Sequence, residues 1–267
     1  MDRAQTAASA QEIIYEVRDR IGFLTLNRPH ARNALTFGMY DRIAEICANA
    51  PTDGSLKAII ITGAGDRAFA SGTDISLFRD FGTPEQGIQY EKHADEIMTA
   101  IESCPVPTIA AIAGACTGGG AGIAACCDMR IATRDLKFGF PIARTLGNCL
   151  SAATLERLVR LLGEPRVKDM IFTARLVGAE EALTAGLVSE VVESHAALMT
   201  RAEELARQIA GYAPLTLRVT KEILLRLRQQ GPKVDDTDLV AKVYTSADFR
   251  EGLEAFLAKR PPQWTGR

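Results

Sequence analysis

Two glycine-bearing segments carry the first hint of chemistry, "FASGTDI" at 69–75 and "GGGAGIAACCD" at 118–128. Gly72 permits a tight turn that leaves the Thr73 amide free to face a ligand. The triple glycine opens a small-residue helix. Its first amides lack intrahelical acceptors, and its dipole favours negative charge. Two such amides converging on one oxygen make an oxyanion hole, worth about 3 kcal/mol per donor in a transition state. Each loop alone also suits the close packing of a strand on a helix. Metal chemistry is not expected. His30, His93 and His195 are far apart, and the cysteines at 47, 104, 116, 126, 127 and 149 form no CxxC pair. Reduced thiols packed as small hydrophobes are the expected state for most of them.

The elements that must hold these loops read as alternating strands and helices. "IIYEV" (13–17) and "IGFLTLN" (21–27) flank "RDR" as a hairpin. Thr36 is an N-cap for a helix with Met39, Ile43, Ile46, Cys47 and Ala50 on one stripe. "KAIIITG" (57–63) is a strand buried on both faces, and the loop 64–75 follows it. A helix spans about 84–103, with Ile88, Ile97, Met98 and Ile101 as its apolar positions. "VPTIAAIAGACTGGG" (106–120) repeats the sequence of strand, glycine loop and helix. "MRIAT" (129–133) and "GLVSEVV" (186–192) are further strands, with helices near 151–162, 165–173 and 179–185 between them. The remaining chain is helical. One stripe carries Leu198, Ala202, Leu205 and Ile209, and a second apolar face carries Leu217, Leu224 and Leu227. Alternation followed by a helical tail predicts an α/β sheet core with a C-terminal helical region.

Composition limits the function classes. A chain of 267 residues with 47% hydrophobic and 24% charged residues has the balance of a globular protein. The net charge of -2 and the lack of a long basic run argue against a nucleic-acid binder and a polybasic membrane anchor. No apolar run reaches the roughly 20 residues of a membrane span. "MDRAQTAASA" lacks the apolar core of a signal peptide, so a cytoplasmic protein is the default.

Taken in order, "LNRPHARNAL" (26–35), "AFASGTDI" (68–75), "GACTGGGAGIAACCDMRIA" (114–132), "FGFP" (138–141), "GLVSEVV" (186–192) and "FLAKRPPQWTGR" (256–267) resemble the crotonase superfamily, the enoyl-CoA hydratase/isomerase family. The resemblance runs from about residue 12 to the end. It implies a crotonase-like core of repeated ββα units over 12–195 and a helical trimerisation region over 196–267, while 1–11 reads from its composition as a disordered lead-in. It also implies a homotrimer or dimer of trimers. The substrate is an acyl-CoA thioester whose oxygen is held by two backbone amides, here Thr73 and Gly119. Coenzyme A arrives with the substrate, and no permanently bound cofactor is expected. The CoA-binding segments map onto His30, Ala31 and Arg32, then onto Ala68, Ala70, Asp74 and Ile75. Phe256 and Lys259 resemble residues that reach the nucleotide, often from a neighbouring subunit. For Arg32 and Lys259 the plain alternative is a solvated surface charge.

The chain departs from the hydratase pattern at two places. The two glutamates such enzymes use fall at Gly122 and Ile142. Neither residue can activate water or protonate carbon, so conventional hydration by these positions is not expected. "RTLGNCLSAATLERL" (144–158) is closer to the dehalogenase branch, which places an aspartate nucleophile after the asparagine. Cys149 stands there, with Ser151 as the other claimant and Arg144 as a cation that could activate a thiol. A cysteine filling space beside the acyl pocket is the competing reading. In "YEKHADE" (90–96), Asp95 falls where that branch has a histidine, beside His93 and Glu96. The same charges also suit the wet face of a helix. Asp128 is read as structural. The expected function is therefore acyl-CoA processing with an atypical acid–base set: enolate isomerisation, thioester or carbon–carbon hydrolysis, or hydration by a repositioned group. A catalytically silent acyl-CoA binder and an enzyme using Cys149 as nucleophile are the alternatives. RNA binding, known in one branch through a lysine-rich helix, finds no match here.

Overall fold

The computed structural model describes residues 12–79, 81–231 and 234–267; the expected lead-in at 1–11 lies outside them. β-Branched runs build the centre. β3 (Ala58–Gly63) is buried along its whole length and pairs in parallel with both β2 (Ile21–Leu26) and β5 (Thr108–Ile112). With β1 (Ile13–Arg18), β7 (Met129–Thr133) and β10 (Glu190–Val192) they form a six-stranded sheet ordered β1-β2-β3-β5-β7-β10. The β1–β2 hairpin turns through Asp19 and Arg20, both at positive φ (52° and 64°), as a two-residue turn between twisted strands requires.

Side chains alternate across this sheet with period two. Ile59 and Ile61 enter one apolar cluster, whereas Ala58 and Ile60 enter another. The second cluster is closed by α7 (His195–Ala210), whose Leu198, Ala202, Leu205 and Ile209 form the stripe read from the sequence. The first faces a smaller sheet, ordered β4-β6-β8-β9, made of β4 (Ala68–Ala70), β6 (Ala115–Thr117), β8 (Lys137–Gly139) and β9 (Val177–Gly178). It also faces α1 (Phe37–Ala48), α2 (Pro84–Glu102), α3 (Gly119–Cys126) and α4 (Ala152–Leu162). Each repeat therefore sends one strand to the large sheet and the next to the small sheet, then turns into a helix. β3–β4–α2, β5–β6–α3 and β7–β8–α4 follow this course.

The remaining helices are α5 (Glu164–Phe172), α6 (Ala179–Thr184), α8 (Pro214–Gln230), α9 (Thr237–Tyr244) and α10 (Ala247–Leu257). Among the described residues no helix is long and apolar enough to cross a membrane.

Three local expectations need correction. Only 190–192 of the predicted 186–192 strand is extended. Gly186 (φ 75°) ends the turn after α6, and Leu187 and Val188 are buried as a connecting segment. Ile88 is 67% exposed, so the buried face of α2 begins further along. α8 buries Leu215 and Val219, while Leu224 stays exposed on the chain's surface.

Candidate active site

β4 and β6 are parallel neighbours, so the loops that follow them leave the same edge of the small sheet. One loop carries Thr73, and the other opens α3 at Gly119. Gly118 adopts φ 53° and ψ -123°, a conformation that swings the chain into the helix. Gly119 tolerates no side chain. A Cβ there would lie 1.7 Å from the Tyr40 hydroxyl and 3.2 Å from Thr73 Oγ1. The Thr73 and Gly119 residues therefore adjoin, as the oxyanion reading requires. The Gly119 amide is one of the donors that a helix start leaves unpaired. The amides of both Leu35 and Asp74 are consumed in bonding across the loops, to Gly72 and Leu35 carbonyls respectively. The Thr73 amide between them has no such partner among the described residues.

The first loop is locked to the second by Asn33, which is 1% exposed. Its Nδ2 donates to the carbonyls of Ala64 (3.1 Å) and Ala68 (2.8 Å), and its Oδ1 accepts from the Arg28 amide (3.0 Å). Ser71 N donates to Arg32 O at 3.0 Å. His30, Ala31 and Arg32 are thereby brought beside Ala68–Ile75, with His30 and Arg32 exposed. The Asp74 carboxylate is already engaged. It pairs with Arg28 Nη1 (3.1 Å) and caps the following turn through Ser76, and these bonds hold its carboxyl below the usual range, Ser76 contributing most. Phe256 is 82% exposed and lines a separate groove with Leu215, Phe249, Leu253 and Trp264, and Lys259 follows α10 at the surface.

A cavity of ≈ 190 Å³ opens in front of the two loops. Thr73, Gly119, Gly122 and Ile142 line it, together with Tyr40, Tyr90, Glu91 and Met98. At Gly122, where the resemblance puts a hydratase glutamate, a Cβ would meet Met98 Cε at 3.0 Å, close enough that the methionine end must shift. Ile142 is half-buried against the apolar core. A hydroxyl chain crosses the cavity wall. Tyr40 Oη lies 2.9 Å from Thr73 Oγ1, which lies 3.1 Å from Tyr90 Oη. Burial pushes both phenols above their ordinary pKa, so both stay protonated.

The cavity's one lining carboxylate among the described residues is Glu91. Burial raises its pKa, the Asp95 charge raises it further, and a hydrogen bond from the Ser151 backbone amide pulls it back. Asp95 is one turn along and is not part of the lining. It accepts a 2.7 Å bond from Ser151 Oγ and pairs with Arg157 Nη1 at 3.5 Å. His93 bonds Asp41 at 2.8 Å on the exposed face, and Glu96 is exposed beside it. Cys149 is exposed and lies outside the lining, while its neighbour Asn148 is within it; the other five cysteines are buried free thiols. Ser151 caps α4. Asp128 ties β5 to α8, accepting from Thr108 N (2.7 Å) and pairing with Lys221 (2.5 Å). No cluster of three or more metal-ligating side chains occurs among the described residues.

Sequence reasoning read Met98 only as an apolar helix position and passed over Tyr40, Tyr90 and Glu91. The signal was present in α2. Stepping back from buried Met98 by four and then three residues gives Ala94 and Glu91, one helical face.

Comparison with known proteins agrees with this architecture. Residues 16–267 match the family model described as enoyl-CoA hydratase/isomerase. A short-chain-enoyl-CoA hydratase of Clostridium acetobutylicum is 33% identical over 251 residues, 93% of this chain and 95% of its own. A 2,3-dehydroadipyl-CoA hydratase of Escherichia coli is 31% identical, covering 96% of this chain and 99% of its own. Among solved structures, an enoyl-CoA hydratase/carnithine racemase from Magnetospirillum magneticum superposes with a TM-score of 0.87 at 33% identity, over 96% of both chains. The chain belongs to the enoyl-CoA hydratase/isomerase family.

Proposed function

We propose that this enzyme stabilises an acyl-CoA thioester enolate with the amides of Thr73 and Gly119 and moves protons with Glu91. The observation that carries the reading is the cavity itself. It is lined by Thr73, Gly119 and a desolvated carboxylate, and at the two positions where the resemblance puts the hydratase glutamates its wall is glycine and isoleucine. An enolate concentrates negative charge on the thioester oxygen, which preorganised amides stabilise. A carboxylate with a raised pKa is better matched to carbon acids near neutral pH than an ordinary one. One such group can remove a proton and return it, the requirement of an isomerase. Hydration as the relatives' names describe it needs a base for water and an acid for carbon. Here the first carboxylate lacks a second within the described lining.

Assembly is proposed to follow the family. Tyr244, Leu253, Phe256 and Leu257 present apolar surface on the C-terminal helices, which suits contact with further copies in a trimer.

The test is deuterium incorporation at the α-carbon of butyryl-CoA in heavy water, run beside hydration of crotonyl-CoA. Exchange without ordinary hydration supports the proposal. Rapid hydration, or no exchange with bound acyl-CoA, removes it.

A further inference from the structure

The proton chemistry proposed for Glu91 makes no use of the hydroxyl chain. Three hydroxyls carry three hydrogens, and the contacts Tyr40–Thr73 and Thr73–Tyr90 use two. However the chain is polarised, one O–H is left without an acceptor among the described residues. Tyr40 is the closed end. It is 4% exposed, and its oxygen is wedged over Gly119. Tyr90 is the open end, half-buried on the cavity wall. Its ring is held edge-on by Phe78 at 4.8 Å and Phe81 at 6.1 Å between centroids, so the phenol is fixed in place. Much of the remaining wall is apolar, with Met98, Phe140, Ile142, Leu146 and Leu150.

We propose that the Tyr90 hydroxyl hydrogen binds an oxygen carried on the acyl chain, so that the site prefers acyl thioesters with a keto or hydroxyl substituent over plain ones of equal length. A plain alkyl chain seated here would cover that hydrogen and leave it unpaired. A substituent oxygen accepts it. Losing one neutral hydrogen bond in this way weakens binding by roughly tenfold. The inference rests on the acyl-CoA reading above.

Titration calorimetry of the full chain with butyryl-CoA, acetoacetyl-CoA and 3-hydroxybutyryl-CoA tests it. The wild type should bind the two oxygen-bearing esters about tenfold more tightly than butyryl-CoA. Tyr90→Phe should bring that ratio to within roughly threefold of one. Tyr40→Phe should keep it, because Thr73 can still donate to Tyr90 and leave its hydrogen for the ligand. A wild-type ratio near one overturns the inference. So does Tyr90→Phe if it weakens all three esters in parallel. A collapse of the ratio in Tyr40→Phe equal to that in Tyr90→Phe also overturns it, since the chain would then be structural. If no ester binds, the acyl-CoA reading itself fails, a result distinct from equal binding of all three.

Discussion

Glu91→Gln replaces one carboxylate oxygen by an amide nitrogen and leaves the shape of the side chain nearly unchanged. Glu91 is half-buried and has no ion pair among the described residues, so the exchange should cost little stability, about 1 kcal/mol or less. Its effect on chemistry should be large. A positioned general base contributes about 10²- to 10⁴-fold, and α-deuterium exchange into butyryl-CoA should slow by that factor with ester affinity retained. The pH profile gives an independent check. As a base, Glu91 must lose its proton. Burial and Asp95 raise its pKa, so the exchange rate should climb through a midpoint above 4.5, the ordinary glutamate value. Asp95→Asn removes one raising charge and keeps an acceptor for Ser151 Oγ, so that midpoint should move down. The same shift acts on stability with a definite sign. A carboxyl whose folded pKa is raised stabilises the fold below its unfolded pKa and loses that contribution as pH rises through the folded pKa. Glu91→Gln should therefore gain stability relative to the wild type on going from acid to neutral pH, read as the difference in melting temperature. Exchange mass spectrometry decides the matter. Wild-type exchange in Glu91→Gln, or an upward midpoint in Asp95→Asn, would refute the assignment.

Thr73→Pro removes the proposed oxyanion amide and should lower exchange by about 10²- to 10³-fold, the usual loss for one such donor; an unaffected rate in a folded variant would exclude the amide. The unmodified protein should hydrate crotonyl-CoA orders of magnitude more slowly than the ordinary ~10 s⁻¹ of enzymes, followed by loss of the enoyl absorbance. Gly122→Glu should lower the melting temperature, because its Cβ would meet Met98 Cε at 3.0 Å and its carboxylate would be desolvated. Adding Met98→Ala should recover part of that loss, and an equal or further loss would show that Met98 is not the obstacle.

The large elements were legible because their patterns were unmixed. β3 reads as a continuous β-branched run and is buried throughout. The stripe on α7 has a clean helical period and meets the sheet as expected. The two glycine loops were also legible, since Gly72 and Gly118 sit at positive φ where other residues are strained. α8 misled for a physical reason. Its apolar residues run around the helix, and pattern alone does not separate a face packed on this chain from one left open. The charges of 90–96 misled differently. Asp95 stood out as an acid near the site, but one turn of helix decides which carboxylate enters the cavity, and that phase is set by the packing of Met98 and Ile101. Thr73 was read for its amide. That its hydroxyl joins Tyr40 and Tyr90 depends on α1 crossing behind the loop, a long-range contact with no local signature.

At Gly122 and Ile142, where the resemblance puts the hydratase glutamates, the cavity wall carries no carboxylate. A glutamate lost from a cavity leaves room for water, and water between the amides and the acyl chain weakens every electrostatic interaction there. Met98 Cε would lie 3.0 Å from a Cβ at Gly122, and Ile142 packs an apolar side chain against the core. Polar groups lie on the α1 and α2 side, where Tyr40 and Tyr90 bond the Thr73 hydroxyl and Glu91 lines the same cavity. Both phenols are held neutral, so they donate hydrogen bonds but do not ionise at working pH. That leaves Glu91, its pKa raised by burial, as the carboxylate of the described lining that the proposed proton transfer would use. A reaction needing acid and base at two carbons in one step is poorly served by such a wall. A reaction that lifts a proton from one carbon, holds the enolate and returns the proton is well served.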